Sequence, residues 1–366
     1  MTDAVTSAAK KKKLWWHTRF GEIKVEEQTY RRGREGPLVR PLCASAGVVC
    51  RGYSLWLQRV LTDFGADESF ADGAAKVKEH YGIEVPISAV ASITQQQAAR
   101  MRQEPEGESP WPEPGVEQVI AEADGCLVPV VKIKESEEIG DKRRGRTVDW
   151  QEARLSLARK DGAVSKHYQA TMKSVEEAGA QLRECVIAVG GGAQTKIHCV
   201  GDGAPWIVKQ VEEKFGESAT YLVDFYHVSE YLSAAADSIA GVAGKPAWLH
   251  QQQEHLKQNR VSEVLIQLRA HQEPQQINDD HAPVRACERY LSHRLPYLDD
   301  QSALAADLPI GSGEVESGHR GVIQARLKLS GAWWKPDHAD AMLALRTVRA
   351  NGQWQAYWDD RRQAAA

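Results

Sequence analysis

Two aspartates stand where apolar runs give way to glycine, Asp124 in QVIAEADGCLVPVV and Asp202 in KIHCVGDG. Read as strands, these runs put Asp124 at the tip of a hairpin built on an Asp-Gly turn, and Asp202 at the end of a buried strand. Carboxylates ending neighbouring core strands face one crevice, the favoured ligand position in sheet proteins. Like charges there raise each other's pKa unless a cation intervenes. Divalent metal resolves the conflict: two Mg2+ ions roughly 3.5 to 4 Å apart can activate an attacking hydroxyl and stabilise the leaving oxygen of an in-line phosphoryl displacement. Taken singly, the plainer reading of each aspartate is a turn former or helix cap, since glycine follows both.

The stretch LPIGSGEVESGHRGVIQARLKLSGAWWK offers a third carboxylate. After GSG, the spacing of Val315, Val322, Ile323 and the stem of Arg326 predicts a helix with Glu316 in its first turn. Its plain reading is helix-dipole stabilisation of about 0.3 to 1 kcal/mol. Glu314 competes for the role, but helical positions two residues apart point about 200° apart. Glu316 falls at the edge of the packed side, Glu314 nearer the glycine turn. Arg320, Arg326, Lys328 and Lys335 interleave with Trp333 and Trp334, which suits a phosphate backbone and unpaired bases. An aromatic helix end packed on the core is the competing reading. In DFYHVSEYL, Asp224 and His227 lie three apart at a strand end, placed to contact one catalytic phosphate or to hydrogen-bond each other.

These residues need elements to hold them. FGEIKVEEQTYRR alternates as a strand, and SLWLQRVLTDFG reads as a helix stopping at Gly65. A helix from Phe70 to His80, a turn, and a second helix opened by Ser88 make a helix-turn-helix pattern, with Ser92, Thr94, Gln95, Gln96 and Arg100 on the second helix. The Pro/Glu-rich QEPEGESPWPEPG, residues 103–115, marks a domain boundary. Beyond it come the Asp-Gly hairpin, a third strand in VDWQEARLSLARK, a helix ending in AVGGG, the strand KIHCVGDG, a helix from Trp206 to Phe215, the strand ATYLVDFYH and a long helical region. Three antiparallel strands, then helix, strand, helix and strand, is the element order of the RNase H fold. AVGGGAQTK matches neither phosphate-loop spacing and reads as a helix stop.

Composition sets the outer bounds. With 366 residues, 42% hydrophobic and 26% charged, the chain is long enough for two to three domains of about 150 residues and is not globally disordered. No apolar run approaches the roughly 20 residues of a membrane span, and no apolar stretch follows the N-terminal lysine cluster as in a secretory signal, so a cytoplasmic protein is expected. Six scattered cysteines without a CxxC pair suggest reduced, mostly buried thiols. The net charge of −4 conceals a basic front end: residues 1–102 carry 16 Lys and Arg against 11 Asp and Glu. Such an excess is the footprint expected of nucleic-acid binding, and equally of an ordinary solvated surface.

ADG, GDGAPWI, LVDFYHVSEYL and LPIGSGEVESGHRGVIQARLKLSGAWW together closely resemble bacterial insertion-sequence transposases of the ISKra type, relatives of the Mutator-like DDE group. The resemblance covers most of the chain from Leu14 to Trp354. It implies an α/β fold: an RNase H-like mixed five-stranded sheet flanked by helices, with an all-helical insertion and a small N-terminal domain holding the helix-turn-helix-like hairpin. The expected domains are 1–102 for DNA binding, a linker at 103–115, the first part of the catalytic core at 116–230, the insertion at 231–307 and the last part of the core at 308–366. The family triad transfers onto Asp124, Asp202 and Glu316 as catalytic metal ligands, and its accessory motif onto Asp224 and His227. Mg2+ or Mn2+, two ions, is the implied cofactor; insertion-sequence ends and target DNA are the implied partners, bound by a nucleoid-associated homo-oligomer. Such transposases usually carry a longer N-terminal region, so a truncated copy or second reading frame is one expectation. Competing functions are a catalytically silent DNA-binding inhibitor of transposition and a Mg2+ nuclease without strand transfer.

Overall fold

The computed structural model describes residues 6–32, 36–46, 52–102, 107, 109–133 and 146–364, and the chain divides into two compact units. Unit 1 comprises residues 1–105, 128–151 and 321–366; unit 2 comprises 106–127 and 152–320.

Unit 1 opens with an antiparallel ribbon of β1 (Thr6–Thr18) and β2 (Gly21–Arg32), joined on the β2 edge by β3 (Leu38–Val39). The lysine cluster is thus part of a strand, where Lys12 and Lys13 sit across from Glu27 and Glu26. Opposite charges directly across a ladder favour that register. A short α1 (Pro41–Ser45) precedes α2 (Leu55–Asp67), α3 (Phe70–Tyr81) and α4 (Ile87–Met101). Leu57, Leu61, Val77, Val90 and Ile93 form their common core. Ser54 and Ser69 cap α2 and α3, whereas α4 starts after Pro86 rather than at Ser88.

Gly65 does not stop α2. A Cβ there would lie 2.1 Å from Thr94 Oγ1, so glycine is what lets α2 and α4 touch. The contact buries Thr94 completely, which removes it from the expected reading face of α4; Ser92 and Arg100 remain exposed.

Unit 2 is built on β4 (Gln118–Ile133), β5 (Arg146–Lys160), β6 (His167–Thr171), α5 (Val175–Ala188), β7 (Lys196–Gly201), α6 (Pro205–Phe215) and β8 (Ala219–Val223), with the unit boundaries falling inside β4 and β5. The sheet order is β6-β5-β4-β7-β8; β5 and β6 are antiparallel, while β4, β7 and β8 run parallel. This mixed five-stranded sheet flanked by helices is consistent with an RNase H-like fold. Near-continuous burial along β7 is what a strand covered on both faces requires. Ser174 accepts from Glu177 N to start α5, an S-x-x-E capping arrangement. Val119, Ala121 and Ala123 of β4 pack with Leu182, Val186, Ile207 and Val211 of α5 and α6.

One expectation fails here for a physical reason. The Asp-Gly step at Asp124 makes no hairpin, since neither residue has the positive φ such a turn requires. Neighbours on both sides hold β4 as one strand of 16 residues, and the third antiparallel strand is β6. A Cβ at Gly125 would meet the Glu152 side chain at 2.2 Å, which would have to swing aside. Residues 103–115, expected as a linker, lie partly outside the described residues; within them Trp111 lies beneath the Arg183 guanidinium and against Phe215, and Ala193 N donates to Pro112 O.

After β8 come α7 (Phe225–Lys257, broken at Gly241), α8 (Val261–Ala270), α9 (Pro283–Arg294), α10 (Asp300–Ala305) and α11 (Gly313–Gly318). Phe225, Leu232, Leu256, Leu268, Val284 and Leu291 close a second core beside β8. A π-helical turn over His319–Gln324 leads to α12 (Ala325–Leu327), α13 (Pro336–Ala350) and α14 (Trp354–Gln363), which complete unit 1. Cys185, Cys199 and Cys287 are buried free thiols, Cys43 and Cys126 half-buried; Cys50 lies outside the described residues. Among the described residues no helix is long and apolar enough to cross a membrane.

Asp300, in the first turn of α10, is only 2% exposed. Burial, with the charges of Asp299 and Asp224, pushes its carboxyl up to about 7. The unfolded chain ionises it near 3.9, so between about pH 4 and 7 the folded state holds the extra proton and stability falls as pH rises. Wild type should therefore lose up to about 4 kcal/mol more than Asp300→Asn between pH 4 and 8, at about 1.36 kcal/mol per unit. Urea unfolding across that range measures the difference, and parallel pH profiles would contradict it.

Candidate active site

Three aspartates stand abreast. The β4–β7 ladder pairs Glu122 with Val200, and the β7–β8 ladder pairs Gly201 with Val223. Continuing both registers brings Asp124, Asp202 and Asp224 to one level on three adjacent strands, with neighbouring strands about 4.8 Å apart. Glu122, Asp124 and Cys126 share one face of β4 by the two-residue period, opposite the face that carries Ala121 and Ala123 into the helix-covered core.

Each carboxylate is held differently. Asp124 Oδ1 accepts from Gly125 N at 2.7 Å, and its Oδ2 lies 3.0 Å from His319 Nε2. His319 is buried, which by itself disfavours its charge, yet contacts with Asp124 and Cys126 push it up to about 9. Asp202 Oδ1 accepts from Ala204 N at 2.8 Å. Burial raises the Asp202 carboxyl above its ordinary range and the charge of Asp124 adds to that, against the Ala204 hydrogen bond and the charges of His227 and Arg294. Asp224 is the N-cap of α7: Oδ1 accepts from Tyr226 N at 2.6 Å and His227 N at 3.2 Å, while Oδ2 accepts from Ser312 N at 2.8 Å and from the Ser312 hydroxyl.

The turn after Asp202 is fixed by side chains from α9 and β8. Tyr290 Oη donates to Asp202 O at 2.6 Å, Arg294 Nε donates to Gly203 O at 3.0 Å, and Gly203 N donates to Tyr221 Oη at 3.0 Å. Gly203 has φ +75°, and a Cβ there would meet Arg294 Nε at 2.4 Å. His227 is half-buried, makes edge contacts with the rings of Tyr231 and Tyr290, and pairs with Glu230 at 3.6 Å. It does not hydrogen-bond the Asp224 carboxylate through its ring; the bond is from its backbone N–H.

α11 is tied to the same strands. Val315 N donates to Glu122 Oε2 at 2.7 Å. Burial pushes the Glu122 carboxyl up to about 8 against that hydrogen bond, and Glu314 and Asp224 raise it further. Glu122 was not singled out in the sequence; a lone acid two residues before Asp124 in an apolar strand is the signal that marks it. Glu314 is engaged by Arg159 Nε at 3.0 Å and Lys166 Nζ at 3.4 Å. Glu316 is exposed, and its carboxylate has no partner among the described residues. His319, three positions on, follows the end of α11 and is buried.

Among the described residues no group of three or more His, Cys, Asp and Glu is close enough to hold a metal ion. Asp124 and Asp202 are electrostatically coupled; Glu316 is not gathered into a ligand cluster with them. Of the basic and aromatic residues, Arg320, Lys328, Trp333 and Lys335 are exposed. Arg326 and Trp334 are 2% and 4% exposed. As placed, these two are core side chains of unit 1, because the guanidinium lies over the rings of Phe70 and Trp334 and donates from Nε to Gly65 O at 3.0 Å.

Unit 2 is thus a mixed-sheet domain with a row of strand-end carboxylates. The chain belongs to UPF0236, an uncharacterised protein family, whose sequence pattern matches residues 166–362. No curated protein matches it. Among solved structures, the Drosophila P element transposase strand transfer complex is similar with a TM-score of 0.28 and 8% identity, over 87% of this chain and 83% of that one.

Asp224 satisfies four donors at once, two from the start of α7 and two from Ser312. Asp224→Ala should lower stability by about 2 to 4 kcal/mol, since it removes a cap and leaves buried N–H groups unpaired. Ser312→Ala removes only the hydroxyl and should cost about 1 kcal/mol. Chemical denaturation of the two variants gives the ratio; equal losses would show that the backbone donors contribute nothing.

Proposed function

We propose that the chain is a DDE-type transposase that cuts DNA at insertion-sequence ends and joins them to target DNA by in-line phosphoryl transfer. The observation that carries the reading is the row of Asp124, Asp202 and Asp224 on adjacent strands, with α11 and its free Glu316 anchored to that row through Ser312 and Val315. The motif resemblance supports it.

The donor set of the two coupled aspartates suits a hard divalent cation: both are half-buried oxygen ligands, and the charge of one opposes ionisation of the other. Asp124 and Asp202 would hold Mg2+ or Mn2+, with Glu316 as the proposed third ligand. Two such ions, when bound, would supply activation of the attacking hydroxyl of water or a DNA 3′ end and charge stabilisation at the leaving oxygen. The chain's own contribution is positioning. Asp224 and Glu122 fix the start of α11, so that Glu316 projects from a helix whose first turn cannot drift. Tyr290, Arg294 and Tyr221 fix the Asp202 turn. Asp224 acts in this scheme through its hydrogen bonds, and His227 as a half-buried neighbour of Asp202. Exposed Arg320, Lys328 and Lys335 are proposed phosphate contacts, and a DNA-bound homo-oligomer in the nucleoid is the proposed working form.

The test supplies labelled duplexes taken from the DNA flanking the coding sequence, Mg2+ and a target plasmid. Joined products are expected; cutting alone would indicate a nuclease, and binding alone a silent inhibitor. Asp124→Asn, Asp202→Asn and Glu316→Gln should each abolish product while leaving the fold and DNA binding intact. Glu314→Gln, which loses only its pairs with Arg159 and Lys166, should keep most activity. The reverse pattern for the two glutamates in a single-turnover assay would overturn the assignment.

A further inference from the structure

Unit 1 contains a cavity of about 320 Å³ whose lining includes Phe70, Gln95, Arg326, Trp333, Trp334 and Lys335. That volume sits at the lower end of the roughly 300 to 1,000 Å³ of small-molecule sites, the scale of a single planar ligand rather than a peptide or helix. Its chemistry is aromatic and cationic together. Trp334 is 4% exposed and its backbone is pinned by Val131 N, which donates to Trp334 O at 2.7 Å. Its indole Nε1 is buried with no acceptor among the described residues. An unpaired buried donor is costly, and a ligand carbonyl or ring nitrogen would satisfy it.

Arg326 adds a buried positive charge. It is 2% exposed, lies over the rings of Phe70 and Trp334, and has no carboxylate at ion-pair distance among the described residues. A buried cation lining a cavity favours an electron-rich or anionic occupant. Trp333 is 54% exposed, and the Arg146 guanidinium lies over its ring at 5.6 Å from the centroid. An indole held in place and left open to solvent is a stacking platform. Lys335, exposed beside it, can meet a phosphate. Gln95 brings a donor and an acceptor that can bond a base edge.

We propose that this cavity takes one unpaired nucleobase of a DNA strand, stacked on Trp333, with the adjoining phosphate at Lys335. The proposal rests on the DNA-processing reading above and adds to it a site for single-stranded DNA. It also assigns Arg326 and Trp334 as the floor of the site, where they act from within the core.

Full-length protein in EDTA, so that no cleavage enters, is titrated with a fluorescein-labelled oligothymidine strand and with a blunt duplex of the same length. The wild type should prefer the single strand. Trp333→Ala, at an exposed position that leaves the core intact, should weaken single-strand binding by about tenfold with little effect on the duplex, and Trp333→Phe should restore most of it. Lys335→Gln should weaken binding and reduce its dependence on salt. Unchanged single-strand affinity in Trp333→Ala, or an equal loss for both probes, would overturn the site, as would free thymidine monophosphate binding as tightly as the strand. A protein that shows the expected Trp333 effect yet cuts nothing with Mg2+ keeps the cavity and loses the transposase; one that cuts but ignores Trp333→Ala does the opposite.

Discussion

The constraint around which unit 2 is arranged is a row of acids at the strand ends: Asp124 on β4 opposes the ionisation of Asp202 just past β7, and Asp224 follows β8. Parallel strands in fixed register cannot move these carboxylates apart, so the fold must neutralise them where they stand. It uses a different device for each. Asp224 is saturated with N–H and O–H donors, Asp124 faces the imidazole of His319, and Asp202 is kept half-buried with its ionisation opposed. Glu122, one layer deeper, is buried far enough to keep its proton near neutral pH. Most of the hydrogen bonds that position α11 and the start of α7 are by-products of this neutralisation, which is why the acidic row and the helix carrying Glu316 are mechanically one piece.

The same economy explains the residues around the Asp202 turn. Tyr290 and Arg294 arrive from α9, almost ninety residues away in sequence, yet they bond the backbone carbonyls of the turn rather than the carboxylate. The side chain is left free of direct protein donors except Ala204 N. A carboxylate so arranged is rigid in position and open in chemistry, the combination a ligand-binding group needs.

Much of this was legible in the sequence wherever one local rule decided the outcome. The apolar run of KIHCVG, the helix ending in AVGGG, the helix from Trp206 to Phe215 and the helix from Phe70 each carry their own signal. What was not legible depended on partners far along the chain. Asp-Gly at 124 has the composition of a hairpin turn, but β5 and β7 on either side keep it extended. Gly65 has the composition of a helix stop, but it serves the α2–α4 contact. Arg326 and Trp334 have the composition of a nucleic-acid surface, but Phe70 and the Gly65 carbonyl take them into the core. Lysines seldom announce a strand, and the glutamates across the ribbon in β2 become neighbours only once it is paired. The site followed the same pattern: Asp124, Asp202, Asp224 and Glu316 could be nominated from motifs and Glu122 left a signal that went unused, whereas the roles of His319, Tyr221, Tyr290 and Arg294 emerge only from the packed structure.

Unit 1 is assembled from segments at both ends of the chain, and that has a consequence for biosynthesis. Ties such as Arg349 to Asp63, Tyr357 to Gln97 and Arg102 to Asp340 join helices made early to helices made last. About two hundred residues separate the two segments. At ribosomal speeds of roughly 5 to 20 residues per second, α2 to α4 wait on the order of 10 to 40 s for the helices that cover them. Unit 2, nearly continuous in sequence, can close during that interval. A chain made from its N-terminus therefore completes every segment of unit 2 before the helices that cover α2 to α4 exist, so the first-made part of unit 1 is the last to gain its partners.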